Sequence, residues 1–162
     1  MLEPDGPWYY EQHVLGFNYR MTDLQAALGL SQMQRLDEFV SKRLTIAETY
    51  DSVFGSLPLV TPWQHPDGKS SWHLYVVRLK LDAIAKSRRE VFKNLLDAGI
   101  GVNLHYIPIY RQPFHKRPER CWSNWPESER YYDEAITIPL YPKLAGRHLQ
   151  YVIEVLQREI SG

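Results

Sequence analysis

The amino-acid sequence predicts a two-layer α+β domain, its sheet mostly antiparallel, with a helical arm attached at the N-terminal side. Three observations predict it. A capped helical pattern opens at Thr22 and continues to Phe54. A run rich in β-branched and aromatic residues, WHLYVVRLKL, spans Trp72 to Leu81. From there to the C-terminus, strand-like stretches alternate with short helical stripes, the pattern of helices packed on a sheet.

Length and composition bound the possibilities. At 162 residues the chain suits one ordinary domain plus an arm. Nineteen basic residues balance nineteen acidic ones, so net charge recommends neither nucleic acid nor an anionic membrane as partner, and any anion site must be local. A single cysteine, Cys121, excludes an intramolecular disulfide, and the six histidines show no metal-binding spacing, so no metal site is expected. No apolar run reaches the roughly 20 residues of a membrane span. The N-terminal MLEPDGPWYY has neither the basic start nor the apolar core of a signal peptide. The expected setting is reducing and cytoplasmic. Five tryptophans and eleven tyrosines provide flat surfaces for a ligand or a subunit as well as for a core.

Residues 1–21 form an irregular lead-in and a polar turn, 22–55 a helical arm and 56–162 the α+β domain. The chain is organised around Gly16 to Leu36, GFNYRMTDLQAALGLSQMQRL. Thr22 caps a helix, Gln25 reaches back to complete a capping box, and Met21 and Ala26 are placed for a small staple. Leu24, Ala27, Leu28, Met33 and Leu36 recur at helical spacing, so one face is expected to be buried. Gly29 costs about 1 kcal/mol relative to alanine; beside Ala26 and Ala27, its expected reason is close approach of another backbone, such as that of a second subunit. Gly16, Asn18 and Arg20 precede the positive end of the helix dipole, where amides, a carboxamide and a guanidinium suit an anion. The alternative is a capped core helix whose turn faces water.

The helical pattern runs on through Phe39, Arg43, Ile46, Tyr50 and Phe54 to a C-cap at Gly55, long enough to predict a bend near Leu36 and Asp37, with Asp37 capping a second helix. Pro58, Pro62, Pro66 and Gly68 mark the loop before the first strand. Ser87 and Glu90 form a second capping box ahead of the stripe Val91, Phe92, Leu95 and Leu96, and Gly99 ends that helix. GVNLHYI, Gly101 to Ile107, alternates like a strand and stops at Pro108. The stretch from Pro108 to Trp125 lacks periodicity, and loops of that length are usually functional or mobile. Pro126 opens a short helix ending near Glu134, Ala135 to Leu140 reads as a third strand, and Leu149, Val152, Ile153, Leu156 and Ile160 stripe a final helix. His105 and Tyr106, at a strand end, are placed to project into a cleft or to serve as structural residues; His73 offers the same two readings. Arg88 and Arg89 are expected on a solvated helix face. No Gly-rich phosphate loop, nucleophile elbow or paired-carboxylate signature is present.

GFNYRMTDLQAALGLSQMQRLDEF resembles a hallmark segment of the DegT/StrS-type sugar aminotransferases, pyridoxal-phosphate (PLP) enzymes of aspartate-aminotransferase, fold type I, architecture. The likeness continues through SSWHLYVVRL, DAGIGVNLHYIPIYRQPFH and AITIPLYP to the last helix. Within the family, EPDGPWYYEQ is most similar to enzymes that aminate the 4-keto position of a UDP-linked 4-keto-6-deoxy-N-acetylhexosamine, which yields UDP-4-amino-4,6-dideoxy-N-acetyl-altrosamine on the way to pseudaminic acid.

The resemblance implies that this is the small C-terminal domain of such an enzyme with its helical arm. The Schiff-base lysine, the acidic partner of the pyridine nitrogen and the ring-stacking aromatic residue are expected in a segment before it, so no catalytic residue is assigned here and the chain alone is expected to be inactive. By resemblance, Asn18 reaches across a homodimer interface to the phosphate of the partner subunit's cofactor, Arg20 supports the turn or meets an anionic substrate group, and His105 and Tyr106 line the nucleotide-sugar pocket. The intact enzyme would transfer an amino group from glutamate to a keto nucleotide sugar in surface-polysaccharide or nonulosonic-acid biosynthesis. The rival reading is a non-catalytic ligand-binding or dimerisation module presenting Trp72, Tyr75 and Tyr106.

Overall fold

The computed structural model describes residues 13–17, 19–115 and 124–161. It divides into two compact units, Met1–Arg35 and Leu36–Gly162.

The first unit contains helix α1, Asp23–Met33. Its capping box forms as expected: Gln25 N–H donates to Thr22 Oγ1 at 3.3 Å and Thr22 N–H to Gln25 Oε1 at 3.0 Å. None of its residues is buried, and Leu24 is 85% and Leu28 63% exposed. The apolar face expected to be covered is thus open among the described residues. A Cβ at Gly29 would meet nothing within 4 Å, so among the described residues no backbone approaches it.

The helical run breaks at Gln34 and Arg35, and α2, Leu36–Phe54, begins the second unit with Asp37 and Glu38 in its first turn, where the helix dipole favours acids. Its buried residues Ile46, Ala47, Tyr50 and Phe54 join the core. The segment 22–55 is therefore shared between the two units, and among the described residues its buried side chains all lie in the second half.

Three strands form an antiparallel sheet in the order β1-β2-β3: β1 Leu59–Val60, β2 Tyr75–Leu79 and β3 Ala135–Ile138. β1 falls inside the region expected to be loop. In β2, Tyr75, Val77 and Leu79 are buried and alternate with half-buried Val76 and Arg78. Opposite them in register, Ile138 pairs with Tyr75 and Ile136 with Val77, so these four side chains share one face. α2, α3 (Arg88–Asp97) and α5 (Arg147–Ile160) contribute Tyr50, Val91, Leu95, Val152 and Leu156 to the same core. Tyr50 stacks on Phe54 at 5.2 Å and lies 5.0 Å from Tyr75, which in turn meets Trp72 at 5.6 Å. Trp72 has φ of 50°, a left-handed conformation rare for a bulky residue. Ser70 Oγ holds its N–H at 3.0 Å, and Arg43 Nε ties the neighbouring Ser71 carbonyl at 2.8 Å.

Gly101 to Ile107 is not a strand. Asn103 alone bridges Thr137. On either side of it backbone donors turn inward, Val102 N–H to Ile100 O at 3.0 Å and Leu104 N–H to the Asn103 side chain at 2.8 Å, which removes them from any ladder. The Ser87–Glu90 capping box starts α3, Gly99 at φ 76° ends it, and α4 runs Pro126–Glu134 as the proline predicts.

α3 and α5 are joined by one buried carboxylate. Glu159 accepts from Lys86 Nζ at 2.9 Å, Asn94 Nδ2 at 2.7 Å and Arg158 Nε at 3.3 Å. The Lys86 and Asn94 hydrogen bonds, in that order, hold its carboxyl below the usual carboxylate range although burial pushes the other way. Because the folded-state value is depressed, this stabilisation is complete above the unfolded carboxylate range and is lost as pH falls through the folded value. Glu159→Gln is expected to cost about 1–3 kcal/mol in urea unfolding at neutral pH, with a difference from the parent that shrinks on acidification.

Candidate functional site

The face of the sheet opposite the main core mixes apolar and polar side chains. Val76 and Arg78 of β2 pair with Thr137 and Ala135 of β3, and all four point to this side. Arg78 donates from Nε at 2.8 Å and Nη2 at 2.6 Å to Glu134 Oε2, tying the end of α4 to β2. Thr137 is buried, and its hydroxyl lies 2.8 Å from His105 Nδ1. Tyr131 of α4 donates its phenol to the His105 carbonyl at 3.3 Å, and burial pushes that phenol above its ordinary range. His105 is thereby fixed from the sheet and from the helix.

Beside it, Tyr106 is 71% exposed and meets the His105 ring edge-on at 4.5 Å; the peptide bond between them is cis. Tyr106 lines an open groove of about 830 Å³ together with Ile107, Pro108, Ile109 and Tyr110 and with Glu127, Ser128 and Tyr131 of α4. Apolar surface with a few polar groups at one edge is the usual make-up of a small-molecule site. The segment beyond it is braced by Glu129, which accepts from the Tyr110 phenol at 2.7 Å and from Arg111 through both Nε and Nη2. The Arg111 hydrogen bonds are the chief cause that lowers the Glu129 carboxyl below its ordinary range. Tyr110 stacks on Trp125 at 4.5 Å, and Arg111 lies over the Tyr132 ring at 4.4 Å, with Arg88 5.4 Å from the same ring. Arg88 is thus not simply solvated.

The sequence-derived candidates fall in different places. Tyr106 lines the groove in the second unit, and His105 lies behind it, ring against ring. Arg20 is exposed in the first unit, after Phe17 and Tyr19, whose rings stack at 5.5 Å. Asn18 lies outside the described residues, as do Cys121 and most of the lead-in. His73 is exposed and lines none of these surfaces. Glu127, Ser128, Tyr131 and the Glu129 brace were not anticipated. The available signal was the i, i+4 spacing of Glu127 and Tyr131 after the helix-starting Pro126, which puts both on one face.

The model of the DegT/DnrJ/EryC1/StrS aminotransferase family matches residues 4–157. Spore coat polysaccharide biosynthesis protein SpsC of Bacillus subtilis is 35% identical over 161 residues, which are 98% of this chain and 41% of that protein. UDP-4-amino-4,6-dideoxy-N-acetyl-beta-L-altrosamine transaminase of Campylobacter jejuni is 34% identical over 152 residues, 92% of this chain and 39% of its own length. Among solved structures, Spr1654 of Streptococcus pneumoniae in its PLP form superposes with a TM-score of 0.81 at 30% identity, covering 93% of this chain and 38% of that one. The chain spans about two fifths of the length of these relatives.

The Glu129 brace makes a local prediction. Glu129→Ala removes the acceptor shared by Tyr110 and Arg111, so amide exchange across 108–115 is expected to accelerate about tenfold, the equivalent of ~1.4 kcal/mol. Hydrogen-exchange mass spectrometry should find β2 and α5 unchanged.

Proposed function

The chain belongs to the DegT/DnrJ/EryC1/StrS aminotransferase family, and from that premise we propose that it forms the C-terminal portion of a PLP-dependent nucleotide-sugar aminotransferase. The reaction is transfer of an amino group from glutamate to a keto nucleotide sugar, a UDP-linked 4-keto-6-deoxy-N-acetylhexosamine, in surface-polysaccharide or nonulosonic-acid biosynthesis. The observation that carries this reading is 34% identity to the altrosamine transaminase over 92% of the chain. The polysaccharide relative in Bacillus subtilis agrees with a sugar substrate.

The residues fit one end of the cofactor and not the other. An amine that condenses with a carbonyl cofactor is activated by desolvation or by a neighbouring cation. Among the described lysines, Lys42 and Lys93 pair with Glu38 and Asp97 on open helix faces, Lys86 is engaged by Glu159, and Lys69, Lys80 and Lys143 are exposed. None has that environment. The turn before α1 suits the phosphate instead: Arg20 offers an exposed guanidinium, and Asn18 would add a carboxamide. In the proposed homodimer these two residues serve the cofactor of the partner subunit.

When bound, the cofactor supplies an electron sink. The chain's own contribution is orientation. Tyr106 offers an exposed ring at the groove, and His105, fixed by Thr137 and by Tyr131, holds the base of that ring in place. Ile107 and Ile109 add exposed apolar surface beside it.

Mixing the chain with a polypeptide that carries the cofactor-lysine part of a relative tests this. The mixture is expected to retain PLP through gel filtration and to aminate the keto sugar with glutamate. Asn18→Ala or Arg20→Ala in the mixture should weaken cofactor retention about tenfold, one charge-assisted hydrogen bond's worth. Covalent cofactor attachment to a lysine of the chain alone would overturn the proposal.

A further inference from the structure

The lining of the Tyr106 groove discriminates between the parts of a nucleotide sugar. It combines exposed aromatic and aliphatic surface, from Tyr106, Ile107 and Ile109, with Glu127 and Ser128 at the start of α4. Two of its phenols are already committed within the protein: Tyr110 donates to Glu129 at 2.7 Å and Tyr131 to the His105 carbonyl at 3.3 Å. The Tyr106 ring is left largely open, with the His105 ring behind it. Among the described residues no lysine, arginine or histidine lines the groove, and its charged member is the Glu127 carboxylate. Arg130 engages that carboxylate at Oε2 on an open helix face.

Diphosphate, hexose and base place different demands on such a surface. A diphosphate calls for cationic partners, which this lining lacks, and Glu127 would repel it. A hexose could lay an apolar face on Tyr106, but it carries hydroxyls around its rim, and turning those toward Ile107, Pro108 and Ile109 without partners costs free energy. A nucleobase is flat, so one face stacks on a tyrosine while a ring N–H meets a carboxylate. The base alone matches an exposed aromatic ring that has an acceptor and no cation beside it.

Resting on the nucleotide-sugar reading above, we propose that this groove is the base subsite. The uracil ring stacks on Tyr106, its N3–H donates to Glu127, and the diphosphate and the hexose lie outside the groove. The volume is that of an ordinary small-molecule site.

Uridine is the probe, with UDP, N-acetylglucosamine and N3-methyluridine as comparisons. In ¹H–¹³C spectra of the full chain carrying ring-labelled tyrosine, with the Tyr106 signal assigned through Tyr106→Phe, uridine is expected to move that signal saturably. UDP should bind within about threefold of uridine, and N-acetylglucosamine and N3-methyluridine at least about tenfold more weakly. Tyr106→Ala, followed through the uridine signals, should weaken uridine about tenfold, the loss of one stacking contact, with far-UV circular dichroism unchanged. Glu127→Ala should erase the preference for uridine over N3-methyluridine. A Tyr106 ring that stays unmoved up to the solubility of uridine overturns the proposal, as does N-acetylglucosamine that binds as tightly as uridine, UDP that binds more than about tenfold tighter, or undiminished uridine binding by Tyr106→Ala. The mixture with the cofactor-lysine polypeptide separates this subsite from the reaction. If that mixture fails to aminate the keto sugar while uridine still moves Tyr106, the reaction falls and the subsite stands; an active mixture with an unmoved Tyr106 overturns the subsite alone.

Discussion

Two buried phenols hold the second unit together. A phenol taken out of water without a partner costs on the order of 1–3 kcal/mol, and Tyr50 and Tyr75 are both fully buried. They solve the problem reciprocally: Tyr50 of α2 donates to the Pro139 carbonyl just beyond β3, at 2.8 Å, and Tyr75 of β2 donates back to Asp51 of α2. Burial pushes both phenols far above their ordinary range, so they remain neutral donors. The ring contacts among Tyr50, Phe54, Tyr75 and Trp72 add apolar burial to this exchange. Helix and sheet are thereby registered to each other by polar atoms and bonded by apolar ones.

That lock leaves the opposite face of the sheet for other work. Thr137 is the one polar member of a strand that is buried along its whole length, and it spends its hydroxyl on His105. The imidazole, the Tyr131 phenol and the Arg78–Glu134 pair form a polar layer under α4, with the Tyr106 groove at its margin. A rigid sheet supporting a polar layer is a sound base for positioning a substrate, since precision comes from the elements beneath the contacting side chains.

What was legible in the sequence followed from local chemistry. Both capping boxes, the Pro126 helix start and the Gly99 stop were read correctly, because each depends on residues within one turn of one another. The family resemblance and the α+β class were legible too, the latter from periodicity in β2, β3 and α5. The strand expected at Gly101 to Ile107 failed where alternation was overridden by backbone groups bonding locally around Asn103. The covered face expected on α1 is open among the described residues, since covering depends on contacts that periodicity does not encode. Glu129, Tyr131 and Thr137 were missed as site-building residues because their partners lie 18 to 32 residues away. Within its own helix Glu129 looks like any solvated acid.

The shortness of β1 has a consequence for how the molecule meets its own kind. Strands at the margin of a sheet are templates for cross-chain pairing, and proteins suppress this with short or occupied edges. Here one margin is two residues long and the other, β3, is engaged by Asn103. The backbone therefore offers almost no adhesive rim for amyloid-like stacking. The open leucines of α1 are attractive surfaces of a different kind, reversible and governed by side-chain fit. Self-association of this chain should accordingly be of the sort that dilution or a mild detergent undoes.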